Sequence, residues 1–307
     1  MIKIYLITGF LGAGKTTFLR HQLERNDHKI GILMNEFGKI SMDTIAVQHD
    51  SVELLELKNG SIFCSCLKEH FISGLKTLIL SGLDEIYIES SGLADPSDMS
   101  KVVSILDVDI SGCPFDFMGT ICLIDGLYFK EELKKFVSVE RQVKHSHYVL
   151  INKIDLIDGD HLEEIKELIL NINPKVNILT TTYGKMDLEA LRFEKYYIEG
   201  EETTNREDNR PMSFVLKFNN NPEMKALESF IKDMGGYFFR VKGYVQVANL
   251  WYKIDIVNNQ IDIVPYTGNV TSEFNKLVFL SSKGIKSITH LSTCAEKYLS
   301  DLFDIEM

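Results

Sequence analysis

Along residues 1–198, short runs of Ile, Val, Leu and Tyr alternate with longer stretches in which apolar residues recur every three or four positions. The short runs IKIYLIT, KIGILMN, DEIYIES, MGTICLID, HYVLIN and VNILTT predict buried strands. Between them, KTTFLRHQLERN, LKEHFISGLKTLILSG, PSDMSKVVSILD, GLYFKEELKKF and DHLEEIKELILNI predict helices with one apolar face laid on a sheet. Regular alternation of this kind predicts an α/β domain with a doubly wound, mostly parallel sheet.

The pattern then changes. Residues 199–210, EGEETTNREDNR, contain no apolar side chain, so 199–211 reads as an acidic, solvated linker. Beyond it, SFVLKFN, FFRVKGYVQVAN, LWYKIDIV, IDIVPY and KLVFLS predict strands separated by turns such as Asn258-Asn259. PEMKALESFIKDM and a last segment from Ile285 to Leu302 predict helices. Residues 212–307 therefore predict a smaller α+β domain with a largely antiparallel sheet. No internal repeat or low-complexity tract is present.

Composition narrows the function classes. The chain has 307 residues, 45% apolar and 25% charged, enough for one large and one small core. With 33 Lys and Arg against 44 Asp and Glu, the net charge of −11 repels nucleic acid and anionic membranes, so neither is expected as a partner. No run approaches the roughly 18 apolar residues of a membrane span, and the N-terminus lacks a secretory h-region. Five cysteines, odd in number and irregularly spaced, argue for a reducing cytoplasm rather than a disulfide framework.

Chemistry enters at GFLGAGKTT, residues 9–17, which fits G-x-x-x-x-G-K-[ST] between a strand and a helix. Gly9, Gly12, Ala13, Gly14 and Thr17 belong to a loop that turns backbone N–H groups around a phosphate, aided by the helix N-terminus. Lys15 is placed for the β and γ phosphates, and Thr16 for Mg²⁺. A glycine-rich turn with a chance lysine is the rival, disfavoured by the flanking elements. At 147–156, HYVLINKIDL runs a strand into Asn152, Lys153 and Asp155. A carboxylate at Asp155 accepts two hydrogen bonds from guanine that adenine cannot donate, and Lys153 can cover the purine face, so GTP is favoured over ATP. Thr181–Gly184 follows the next strand and is placed to close over the base. In DEIYIESSGLADP, Glu89 stands where nucleotide hydrolases hold Mg²⁺ through water, and Gly92 can turn its N–H toward the γ-phosphate. A strand followed by a capped turn, with Pro96 opening a helix, accounts for the same residues, and both can hold.

In NGSIFCSCLKEHF, residues 59–71, Cys64 and Cys66 precede His70, and core packing and a metal site are both open. Cys122 and Cys294 read as core, Cys113 as a loop residue, and His145 and His147 as surface or packing residues.

With these residues assembled, the chain resembles the CobW-type GTPases, relatives of the UreG and HypB nickel-site maturation proteins. GFLGAGKTTFL, NEFGKISMD (35–43), ELKNGSIFC (56–64) with ESSGLADP (89–96), and QVKHSHYVLINKIDL (142–156) carry the likeness. FFRVKGYV and KLVFLS extend it into the second domain. The resemblance implies a P-loop fold and GTP hydrolysis to GDP coupled to delivery of a transition metal or a cobalamin-type cofactor to a client protein. Lys15, Thr16, Glu89 and Asp43 would carry catalysis, and Asn35, Glu36 and Asp43 would sense the γ-phosphate. The family usually has C-x-C-C after N-G, whereas here Ser61 and Phe63 stand on the first two cysteine positions. Cys64, Cys66 and His70, with Glu36 as a fourth ligand, would suit Zn²⁺, Co²⁺ or Ni²⁺. The rival is a GTP-dependent regulatory switch whose metal site has degenerated. A small-molecule kinase is a weaker third reading. No water-positioning glutamine is evident, so slow intrinsic hydrolysis is expected. The second domain is expected to grip a client or complete a homodimer.

Overall fold

In a computed structural model of the chain the described residues are all but 25–27, 36–51, 58–67, 110–113, 189–190, 192, 194–197, 199–200, 202–203, 205–210, 259, 269–273, 282, 301–302 and 307. The described residues divide into two compact units, one within 1–204 and one within 211–306. Among the described residues no helix is long and apolar enough to cross a membrane.

The first unit contains β1 (Ile2–Gly9), α1 (Lys15–Glu24), β2 (Ile30–Asn35), β3 (Val52–Leu57), α2 (Lys68–Leu80) and β4 (Glu85–Glu89). It continues through α3 (Met99–Asp109), β5 (Phe115–Asp125), α4 (Phe129–Lys135), α5 (Val137–Lys144), β6 (Tyr148–Asn152), α6 (Gly159–Ile172) and β7 (Asn177–Thr180). Its strands form one parallel sheet in the order β3-β2-β4-β1-β5-β6-β7. The central strands are buried on both faces, which is why they read as unbroken apolar runs rather than alternating ones.

Alternate residues of β1 feed separate cores. Leu6 packs with Phe71, Leu75 and Leu106 of α2 and α3, while Tyr5 and Ile7 pack with Phe18 and Leu19 of α1. The helices leaving the neighbouring strands β1 and β4 thus cover opposite faces. The carboxyl ends of these strands form the crevice where open α/β sheets bind ligands.

Two elements of this unit escaped the sequence pattern. β3, VELLEL, is only 6 residues long and interrupted by Glu53 and Glu56. α5, VSVERQVK, is rich in β-branched valine, which lowers helix propensity, and it buries Gln142 alongside Val139 and Val143. The acidic stretch expected to be solvated is anchored where it is described. Glu201 ion-pairs with Arg141 and with Lys144 at 2.5 Å, and Thr204 donates its N–H and hydroxyl to Asp95 Oδ2 at 2.7 and 2.8 Å. Absence of apolar residues does not free a segment whose carboxylate meets a basic helix.

The second unit is an antiparallel sheet of β8 (Met212–Phe218), β9 (Arg240–Val247), β10 (Leu250–Val257), β11 (Gln260–Tyr266), β12 (Lys276–Ser281) and β13 (Phe303–Glu306). Their order is β11-β10-β9-β12-β8-β13. α7 (Met224–Asp233) and α8 (Ile285–Leu299) enclose a core that includes Phe214, Phe230, Phe279, Leu291 and Leu299. The last helix was expected to reach Leu302. It stops at Leu299, Ser300 adopts φ 52°, and Phe303–Glu306 pairs with β8 instead.

Candidate nucleotide site

The loop between β1 and α1 is shaped by two glycines in backbone regions that L-residues avoid. Gly9 has φ 137°, and a Cβ there would lie 2.1 Å from the carbonyl oxygen of Leu123 on β5. Gly14 has φ 102°, and a Cβ would lie 2.4 Å from Asn152 Nδ2. The loop is therefore threaded between β5 and the end of β6 at distances only glycine tolerates. Ala13 is fully buried, while Gly12 and Thr17 are half-buried. The buried Lys15 ammonium donates to the carbonyls of Gly9 at 2.8 Å and Phe10 at 3.1 Å, which holds the cation inside the loop.

Beside it, the Thr16 hydroxyl donates to Glu89 Oε1 at 3.0 Å, joining the first turn of α1 to the end of β4 across the crevice. The segment after Glu89 is fixed at several points. Ser90 donates its N–H to Ile7 O at 2.9 Å and its hydroxyl to Thr8 Oγ1 at 3.0 Å. Gly92 is packed so closely on Leu11 that a Cβ would sit 2.8 Å from the Leu11 backbone nitrogen. Gln142 of α5, wholly buried, donates its amide to the carbonyls of Gly92 at 3.1 Å and Ala94 at 3.0 Å. Asp95 accepts from the Ser97 N–H at 3.0 Å, capping the turn Pro96–Asp98 that the sequence placed at a helix start.

At the other end of the crevice, Asn152 spans two loops. Its amide donates to Ala13 O at 2.8 Å, and its Oδ1 accepts from the Gly184 N–H at 3.0 Å. Lys153 adopts φ 61° and its ammonium meets Asp125 Oδ2 at 2.6 Å. Asp125 also takes the Leu127 N–H at 3.0 Å, so it fixes both the lysine and its own turn. Asp155 lies in the turn Ile154–Leu156 and is exposed. Tyr183, 67% exposed, stands in the loop expected to approach a base.

The fold thus brings Gly9, Gly12, Ala13, Gly14, Lys15, Thr16, Thr17, Glu89, Gly92, Asn152, Lys153 and Asp155 to the carboxyl edge of one sheet. His70 is exposed in the first turn of α2. Glu36, Asp43, Cys64 and Cys66 lie outside the described residues, as does Cys113. Among the described residues no group of three or more His, Cys, Asp or Glu side chains is placed to hold a metal ion. Cys122 and Cys294 are buried, as expected, and burial pushes the Cys122 thiol up to about 12. Sequence reasoning missed Asp125 and Gln142. Asp125 had a signal, a carboxylate closing a strand beside the Asn152-Lys153 strand; a glutamine inside a weak helix had none.

A parallel sheet with this loop at its switch point defines the class of P-loop nucleotide-binding domains. The family described as CobW/HypB/UreG, nucleotide-binding domain, matches residues 3–180, and the chain belongs to it. The zinc chaperone YjiA of Escherichia coli is 33% identical over 196 residues, covering 62% of this chain and 60% of YjiA. The zinc-regulated GTPase metalloprotein activator 1 of Schizosaccharomyces pombe is 32% identical over 218 residues, covering 67% of this chain and 52% of that protein. The chain thus spans about half to three-fifths of the length of these relatives. The crystal structure of Zn(II)-bound YjiA GTPase from E. coli matches with a TM-score of 0.47 and 22% identity, over 96% of this chain and 98% of that one.

Proposed function

We propose that the protein binds and hydrolyses GTP and couples its nucleotide state to the handling of a transition metal, zinc before cobalt or nickel. The observation that carries this reading is the Thr16–Glu89 hydrogen bond beside the buried Lys15 ammonium at the switch point of the sheet. A hydroxyl and a carboxylate 3.0 Å apart are hard oxygen donors of the kind Mg²⁺ takes, so the residues fit that ion. Bound there with GTP, Mg²⁺ would offset charge on the β and γ phosphates.

The chain's own residues supply the rest. Lys15 exchanges two neutral carbonyl acceptors for charged phosphate oxygens, a stronger class of hydrogen bond. Gln142 and Ser90 hold the backbone on either side of Ser91, so the Gly92 N–H stays near the γ-phosphate with little reorganisation. Water attacks the γ-phosphorus, the bond to the bridging oxygen breaks, and GDP and phosphate leave. Asp155, exposed at the rim, reads the guanine N1–H and amino group.

Family membership and the names of the two zinc-related relatives support a zinc cargo. We assign its capture to Cys64, Cys66 and His70, with Glu36 as a fourth donor and Asp43 in the same nucleotide-sensing segment. Delivery of the cargo to a client metalloprotein or a cobalamin-dependent protein, and a role of residues 212–307 in holding that client or a second copy, belong to the same proposal.

Competition of GTP and ATP for fluorescent GDP, with phosphate release followed with and without Mg²⁺, tests the nucleotide half. Equal affinity for ATP overturns it. Zinc titration with and without a non-hydrolysable GTP analogue, on wild type and Cys64→Ser/Cys66→Ser, tests the cargo half. Absent or nucleotide-independent zinc binding would instead support the regulatory switch.

A further inference from the structure

The acidic stretch before residue 211 is anchored at two points, and both bear on the segment that follows β4. Thr204 donates its N–H and its hydroxyl to Asp95 Oδ2 at 2.7 and 2.8 Å. Asp95 lies three residues beyond Gly92. Glu201 pairs with Arg141 and Lys144 of α5, the residues on either side of Gln142 in the chain that carry charge. Gln142 in turn holds the carbonyls of Gly92 and Ala94. One short stretch thus lands on both supports of the Gly92 backbone.

The two anchors differ in weight. Asp95 is wholly buried, and a carboxylate shut away from water keeps its place only through the donors that reach it. The Ser97 N–H serves Oδ1 at 3.0 Å, and Thr204 brings two donors to Oδ2. The Ala94 N–H donates to Ser91 O at 3.0 Å, so Ser91 to Ala94 is one closed turn with Gly92 inside it and Asp95 at its end. A shift of Asp95 therefore reaches Gly92 through three residues of hydrogen-bonded backbone. Glu201 and its partners are partly exposed, and ion pairs of that kind contribute little each. Glu201 sets the stretch on α5, and Thr204 carries the larger share of the coupling.

We propose that Thr204 is a positioning residue for GTP: acting through Asp95, it holds the Gly92 N–H ready for the γ-phosphate. This inference rests on the proposed function, in which Gly92 meets that phosphate. GDP lacks the group, so the hold of Thr204 on Asp95 favours GTP over GDP. Linkage makes the effect reciprocal. A γ-phosphate bound at Gly92 tightens the attachment of Thr204 by the same factor.

The test uses the full chain, fluorescent GDP and a non-hydrolysable GTP analogue with Mg²⁺. Thr204→Val should weaken the analogue about fivefold and leave GDP affinity within about twofold. Thr204→Ser keeps the hydroxyl and should restore the wild-type ratio of the two affinities. On wild type, hydrogen exchange at the Thr204 amide should be slower with the analogue bound than with GDP, because its acceptor Asp95 is then held more firmly. Equal losses toward both nucleotides, as a merely structural role would give, would overturn the inference. So would an unchanged affinity for the analogue, a failure of Thr204→Ser to restore the ratio, or equal exchange at Thr204 in the two complexes. The exchange comparison is read on wild type and does not depend on the valine variant folding. Wild type that binds neither nucleotide would overturn the proposed function and this inference together; wild type that binds both while the Thr204 readouts fail would overturn this inference alone.

Discussion

The two ends of the nucleotide crevice are built differently. At the phosphate end, Lys15 and Glu89 are 8% and 6% exposed, and Gly9 touches the backbone of β5. At the base end, Asp155 is exposed on a short turn, and Lys153 is held from below by Asp125. On the proposed function, the grip on phosphate is thus part of the folded core, while the choice of base hangs on a surface turn. Changes at the first end should damage folding and binding together, and changes at the second should alter selectivity alone.

The sharpest way to break that contrast is Gly9→Val. A β-branched residue at φ 137°, 2.1 Å from a carbonyl oxygen, should destabilise the first unit by about 4 kcal/mol and abolish nucleotide binding, measured by urea unfolding and fluorescent GDP. Lys15→Ala comes next. It should lower GTP affinity about 100-fold, roughly 3 kcal/mol by titration calorimetry, because a charge-assisted contact to phosphate is lost. Gln142→Leu leaves the carbonyls of Gly92 and Ala94 without their donor but also removes Gln142 Oε1, which has no hydrogen-bond partner among the described residues. The two effects oppose, and a net loss of about 1.5 kcal/mol is expected in chemical denaturation. Asp155→Ala should leave stability within about 0.5 kcal/mol yet reduce the preference for GTP over ATP about tenfold, the modest size following from water's access to this carboxylate.

The smallest effect concerns Cys122, whose thiol is pushed by burial from its ordinary value near 9.0 up to about 12. Below pH 9 the thiol is protonated both folded and unfolded, and stability does not depend on it. Between pH 9 and 12 the unfolded chain ionises first, so stability falls as pH rises. Subtracting the unfolding curve of Cys122→Val from that of wild type at pH 8 and pH 10 isolates this slope. No difference between the two pH values would show that the thiol is not shielded as described.

The strands of the first sheet were legible because a parallel strand covered on both faces must be apolar throughout, as EIYIE and YVLIN are apart from their ends. The phosphate loop was legible because its chemistry depends on glycine and lysine at fixed spacing. What held those loops in place was not. Gln142 is a polar residue in a valine-rich segment, and nothing local distinguishes a glutamine that completes two distant carbonyls from one facing water. Glu201 likewise reads as solvated until the basic face of α5 is brought beside it. Contacts between residues far apart in sequence leave no periodicity to detect.

Asn152 carries one last implication. A single carboxamide ties the loop at Ala13 to the loop at Gly184, so the two loops share a hinge pin. On the proposed function, whatever settles against Gly184 would tug on the carbonyl of Ala13, and tightness toward the sugar-and-ring portion of a nucleotide would be tuned together with tightness toward its tail.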